Sequence, residues 1–121
     1  SLDAVEVSVK HLVDYPLFNA GKGATLNEKG ECELDASIME GKNLRSGSVT
    51  GCKTIKNPIS TAKKILEGSQ HNFFSGEGSE LFAKENKLEL VDNNYFVTEL
   101  RQNQLNQAKK ELESKETKTL E

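Results

Sequence analysis

The stretch from Tyr15 to Gly41 limits most severely what this chain can become. Pro16 ends any helix before it, because the ring removes an N–H and pushes the preceding residue into extended geometry. Gly21, Gly23 and Gly30 follow, each open to backbone angles that a side chain would forbid. The stretch closes on an alternation, Leu34, Ala36 and Ile38 against Asp35, Ser37 and Met39, which is the pattern of a strand with one face buried. A tight glycine loop feeding a strand suits main chain that must come close to a ligand or ion.

The rest of the chain alternates helical and extended segments. Leu2 to Asp14 reads as a helix packed on a sheet, with Asp3 as N-cap and Val5, Val9, Leu12 and Val13 as its apolar stripe. Ala24–Asn27 and Glu31–Met39 are expected to form a hairpin turned by Glu28, Lys29 and Gly30. Ser46–Ile55 reads as a strand whose Ser48 and Gly51 let another layer approach. Asn57 and Pro58 start a helix with Ile59, Ala62, Ile65 and Leu66 on its apolar face, ended at Gly68. A short strand at Asn72–Ser75 turns through Gly76–Ser79 into a helix carrying Leu81, Phe82 and Ala83. Leu88–Val91 is extended, Asn93 and Asn94 make a turn, and Thr98 to about Glu113 is a last helix with Leu105, Ala108 and Leu112 on one face. From Lys109 to Glu121 the chain is almost wholly charged or polar, and mobility is expected there. These elements predict a layered α/β fold.

Composition narrows the function. A net charge of −3 gives no basic footprint, which argues against nucleic acid as a partner. No apolar run approaches the length of a membrane span. With 35% hydrophobic and 29% charged residues in 121, either an exposed element or surface normally covered by a partner is expected. Cys32 and Cys52 read as two thiols on neighbouring strands rather than a disulfide, and neither they nor His11 and His71 have the spacing of a zinc site. Gly76-x-Gly78 between strand and helix lacks a third glycine in register, where Leu81 stands, so it is read as a turn and not as a dinucleotide fingerprint. Asp35 has no paired acid or histidine, which makes it a hydrogen-bonded structural aspartate and not a general base.

Four segments in order, Pro16–Gly21, Leu34–Gly41, Lys56–Ser60 and Gly76–Gly78, make the chain up to about Thr98 resemble the plant-type L-asparaginase/isoaspartyl peptidase family of N-terminal-nucleophile hydrolases. The resemblance implies a four-layer α/β/β/α sandwich, of which this chain supplies part. Residues 1–108 would be an incomplete α-chain portion and residues 109–121 a charged linker before the self-cleavage site. In the family a threonine freed by self-cleavage uses its own α-amine as base, because an unassisted hydroxyl is a weak nucleophile. No Gly-Thr pair occurs anywhere in the chain, so that nucleophile is expected on a separate β chain and these residues alone are expected to be inert. Ser1 is read as a chain boundary rather than a nucleophile, and Gly51-Cys52 as structural.

The same resemblance carries the site residues. Asn19 is placed beside the nucleophile, its amide N–H aimed at developing negative charge. On residue type alone, Asn19 reads as a loop cap bonded to neighbouring backbone. The backbone carbonyls of Leu12, Val13, Tyr15, Phe18, Ala20 and Lys22 are implied as ligands of a structural sodium or potassium ion; the bland reading is a loop satisfied by its own hydrogen bonds and water. The implied reactions are hydrolysis of the L-asparagine side-chain amide and of β-aspartyl dipeptides, without an organic cofactor, by an (αβ)2 assembly in the cytoplasm. A glycosylasparaginase, a threonine aspartase and a non-catalytic binding fragment are the rivals. An isolated chain is expected to aggregate or stay partly unfolded, since sheet faces made for missing segments would lie open.

Overall fold

A computed structural model describes residues 1–120, with side chains through residue 116. Helix α1 (Leu2–Asp14) is followed by the loop to Ala24, strands β1 (Leu34–Glu40) and β2 (Arg45–Cys52), and helix α2 (Pro58–Gly68). Strand β3 (Phe73–Ser75), helix α3 (Gly76–Glu85), a 3-10 turn at Asn93–Tyr95 and helix α4 (Glu99–Leu120) complete it. The sheet has the order β1-β2-β3, with β1 antiparallel and β3 parallel to β2. A parallel neighbour needs a crossover, and α2 provides it. The α/β class expected from the sequence is what the chain forms.

The alternation in β1 holds. Leu34 and Ile38 are buried and Ala36 is half-buried, while Asp35, Ser37 and Met39 face outward. Helix α2 covers the inner side with the expected face, Ile59, Ala62, Ile65 and Leu66. A close approach falls at Gly47, where a Cβ would lie 2.1 Å from the Ala62 carbonyl oxygen and 2.8 Å from the Leu66 nitrogen. Gly51 has a different role. At φ +63° it sits by a register irregularity, where the Asp35 carboxylate accepts the Gly51 N–H at 2.9 Å and the Thr50 hydroxyl at 2.5 Å. Those bonds hold the Asp35 carboxyl below the usual carboxylate range, the Thr50 hydroxyl being the larger cause.

The main core joins Ala24, Leu26, Leu34, Val49, Ile55, Ile65, Ala83 and Phe96 with both cysteines. Cys32 and Cys52 are free buried thiols, and burial pushes the Cys52 thiol up to about 12. A second cluster sets Leu2 and Val9 of α1 against Ile38, Ile59, Ala62 and Leu66.

Several boundaries differ from expectation for identifiable reasons. Ser1, and not Asp3, caps α1, its hydroxyl oxygen accepting the Ala4 N–H at 3.3 Å. Asp3 instead pairs with Lys63 of α2 at 3.0 Å. The inward side of α1 runs through Leu2, Val9 and Val13 and packs mainly on α2, leaving Val5 and Leu12 exposed. The expected hairpin shrinks to one bridge, Leu26 to Cys32, and the Asn93 side chain bonds the Cys32 N–H at 3.0 Å and its carbonyl at 2.8 Å. Asn57 precedes α2 without a side-chain cap bond. Leu81 on α3 is exposed, whereas Ala83 is buried. Helix α4 starts one residue after Thr98 and continues to Leu120, beyond the expected end near Glu113. Among the described residues, no helix is long and apolar enough to cross a membrane.

Replacing Gly47 with Ala should cost about 1–3 kcal/mol, since the α2 backbone cannot yield as a side chain would. Chemical denaturation checks this; an unchanged midpoint would show that α2 does not pack as described.

Candidate active-site loop

The loop from Tyr15 to Ala24 is compact because two glycines let it fold onto itself. Tyr15 ends α1 in extended geometry (φ −93°, ψ 111°), as a residue before proline must. The Phe18 N–H then bonds the Tyr15 carbonyl at 3.1 Å, and the Lys22 N–H returns to the Val13 carbonyl at 2.8 Å. Gly21 and Gly23 have φ of +56° and +101°. A Cβ on Gly21 would stand 2.6 Å from the Val13 carbonyl oxygen, and one on Gly23 would stand 2.2 Å from that of Pro16. Both positions exclude a side chain on steric and conformational grounds.

Asn19 is held within this loop. Its Oδ1 accepts the Thr25 N–H at 2.9 Å and the Thr25 hydroxyl at 2.7 Å. Because a backbone N–H can only donate, that contact identifies the amide oxygen. The Asn19 NH2 group bonds to none of the described residues. The loop-cap reading is therefore present in the structure, and it uses only one end of the side chain. Thr25, which orients Asn19, gave no signal in the sequence.

Asn19 and Thr25 stand at a cleft of about 410 Å³ whose floor runs along Leu34–Ser37. Glu33 and Asp35 are among the residues that line it. Glu33 accepts the Asn27 side-chain N–H at 3.2 Å, and Asp35 is engaged by Thr50 and Gly51. The Thr25 hydroxyl hydrogen is committed to Asn19, and no histidine or lysine lines the cleft. The residues lining the cleft can orient and polarise; Thr50, whose hydroxyl bonds the Asp35 carboxylate, is not among them. Ser1 lies elsewhere, capping α1. Among the described residues, no cluster of His, Cys, Asp and Glu could hold a metal ion.

Carbonyl oxygens are the remaining donors. Those of Leu12, Val13 and Tyr15 each accept a backbone N–H, leaving a second lone pair on each. Those of Phe18, Ala20 and Lys22 accept no hydrogen bond from the described residues. The Val13 and Phe18 oxygens crowd the places where Cβ atoms of Gly21 and Gly23 would be, the Phe18 oxygen at 3.0 Å. This donor set, all neutral oxygen, has the chemistry that a hard monovalent cation accepts. The Lys22 ammonium lies over the Tyr95 ring, 5.3 Å from its centroid.

The depressed Asp35 pKa gives a pH dependence. Its stabilisation is fully present above the unfolded value of about 3.9 and is lost as pH falls through the lower folded value. Asp35→Asn should lose about 1 kcal/mol or less at neutral pH, reflecting an exposed site, and match the parent in strong acid. Denaturation midpoints across that range check it; a gap that widens toward acid would contradict it.

The asparaginase family profile matches residues 1–121, the whole chain. A probable isoaspartyl peptidase/L-asparaginase 2 of Arabidopsis thaliana is 46% identical over 82% of this chain and 30% of its own length. An isoaspartyl peptidase/L-asparaginase of Xenopus laevis is 48% identical over 82% of this chain and 32% of its own. A plant-type L-asparaginase of Thermococcus kodakarensis is 45% identical over 98% of this chain and 38% of its own. The chain thus spans about a third of the length of these curated relatives. Matched from end to end by that profile, with the proline-asparagine-glycine loop and the alternating strand intact, the chain belongs to the asparaginase family.

Proposed function

We propose that this chain is the α-chain portion of an isoaspartyl peptidase/L-asparaginase, acting with a β chain that carries an N-terminal threonine nucleophile. The observation that carries the reading is the family match along the whole chain, with relatives named for that activity. The span of about a third of those relatives, and the lack of any Gly-Thr pair, support placing the nucleophile outside these residues.

In this reading the threonine hydroxyl adds to the side-chain carbonyl of L-asparagine, or to the isopeptide carbonyl of a β-aspartyl dipeptide, while its own α-amine takes the proton. The amine or ammonia leaves with that proton, and water then hydrolyses the ester to release aspartate. Asn19, its oxygen fixed by Thr25, offers its NH2 group to order the nucleophile or to meet developing charge on a carbonyl oxygen. The carbonyls of Leu12, Val13, Tyr15, Phe18, Ala20 and Lys22 hold a sodium or potassium ion, which supplies fixed positive charge and stiffens the loop. No organic cofactor is needed for this chemistry.

The outer sheet face, where Ser37 pairs with Ser48 and Met39 with Ser46, supports a second sheet layer and so the four-layer sandwich. Two such αβ units make the (αβ)2 assembly. The charged end of α4, from Lys109, leads toward the cut site, and the two free thiols suit a reducing compartment such as the cytoplasm.

Protein from the complete reading frame should release ammonia from L-asparagine, and residues 1–121 alone should not. Asn19→Ala should lower kcat about 100-fold to 1,000-fold. Steady-state assays check both. Full activity in the Ala variant would remove Asn19 from the site, and turnover by the isolated chain would refute the division of labour.

A further inference from the structure

Strand β1 ends its sheet, pairing with β2 along one edge only. In an antiparallel pair, alternate residues aim N–H and C=O away from the partner strand. Among the described residues, no backbone bond joins Leu34–Glu40 to any segment other than β2. Just before β1 the same edge is covered. Cys32 turns its N–H and carbonyl to Asn93, which also donates to the Lys53 carbonyl just past β2. Leu26 bridges Cys32 from the opposite side, the side that β1 leaves open. The covering segment turns away at Gly23, so the seven residues of β1 run on without a second neighbour. The cleft beside Asn19 follows this edge. It touches Glu33–Ser37 in succession and no residue of β2. A cavity over a face of the sheet would touch both strands, as the outer groove does at Asp35–Ser37, Ser48–Thr50 and Phe73.

We infer that the cleft is a strand slot: the first stretch of the β chain pairs by main-chain bonds with the open edge of β1, and so sets its terminal threonine beside Asn19. The inference rests on the function proposed above and adds to it how the two chains join. Three observations select this occupant. The Asn19 NH2 group bonds to none of the described residues, and the proposed reaction calls for a threonine there. An open edge is a template for another strand, and natural proteins cover such edges. The chain spans about a third of its relatives' length, which leaves main chain to fill the slot. The direction follows from the same contacts. Asn19 is tied to Thr25, which adjoins Leu26, so the site lies at the Leu34 end of the open edge. A chain that starts there and follows the edge toward Glu40 runs parallel to β1. Register then fixes where the threonine stands, because a slip of one residue moves it by roughly 3.3 Å, more than a hydrogen bond can follow.

The test uses the two-chain protein from the complete reading frame. Ser37 is exposed on β1, and neighbouring strands lie about 4.8 Å apart, within the span of a disulfide. Ser37→Cys is combined in turn with a cysteine at the second to the sixth residue of the threonine-led chain, and each pair is oxidised. Cys32 and Cys52 are fully buried and stay out of the reaction. At least one pair should join the two chains into a single band on a non-reducing gel. Hydrogen exchange of the parent protein should show every amide from Ala36 to Met39 slow, rather than alternate ones fast. If those amides are slow and no pair crosslinks, another segment fills the slot and the inference fails. If alternate amides exchange quickly, the edge is open and it fails as well. The proposed function is judged separately, by a second chain that begins with threonine and by the activity of Asn19→Ala; without that chain the inference falls with it.

Discussion

Two peptide positions with no room for a side chain, Gly21 and Gly23, govern how the first quarter of the chain meets the remainder. Each lies in left-handed geometry, and each is pressed against carbonyl oxygens, Val13 for the first and Pro16 and Phe18 for the second. This contact allows the chain to leave α1, turn at Pro16 and return close enough for Lys22 to bond Val13. Immediately afterwards Ala24 and Leu26 enter the core beside Phe96. The loop is thus clamped between the end of α1 and the start of α4. Asn19 is orientated by the Thr25 N–H and hydroxyl that follow this clamp.

A second close approach organises the sheet. At Gly47 the α2 backbone comes to rest on β2, so one side of the sheet is sealed by Ile59, Ala62, Ile65 and Leu66. The bond from Gly51 to Asp35 stabilises the irregularity at the cleft end of β1, where the floor below Asn19 begins. The other side of the sheet carries Ser37, Met39, Ser46 and Ser48 toward the exterior. Small polar residues, one exposed methionine and an exposed Phe73 make up that face. A sheet covered on a single side suits a chain about a third the length of its relatives.

Periodic features were legible in the sequence, and contacts between distant residues were not. The alternation Leu34 to Met39 and the α2 stripe announce their faces because burial repeats along one element. The loop was legible through Pro16, Gly21 and Gly23, whose backbone demands are local. By contrast, Asn93 bonding Cys32 across 61 residues, Glu80 of α3 holding the Lys53 and Thr54 N–H groups, and Arg101 reaching Gly23 follow no spacing rule. The stripe read on α1 included Val5 and Leu12 because four apolar residues fit a helical face, but packing against α2 selected the side with Leu2, Val9 and Val13. Asn19 was legible as a residue, through family resemblance and residue type together. Its division into a committed oxygen and an available NH2 group required the position of Thr25.

The central claim is that these residues are scaffold for a nucleophile carried on another segment. Intact-mass analysis and N-terminal sequencing of protein made from the complete reading frame test it most directly. The account predicts two polypeptides, the second beginning with threonine and lying wholly beyond Glu121. Fully active protein that remains a single uncleaved polypeptide, or whose new N-terminus falls within residues 1–121, would contradict it.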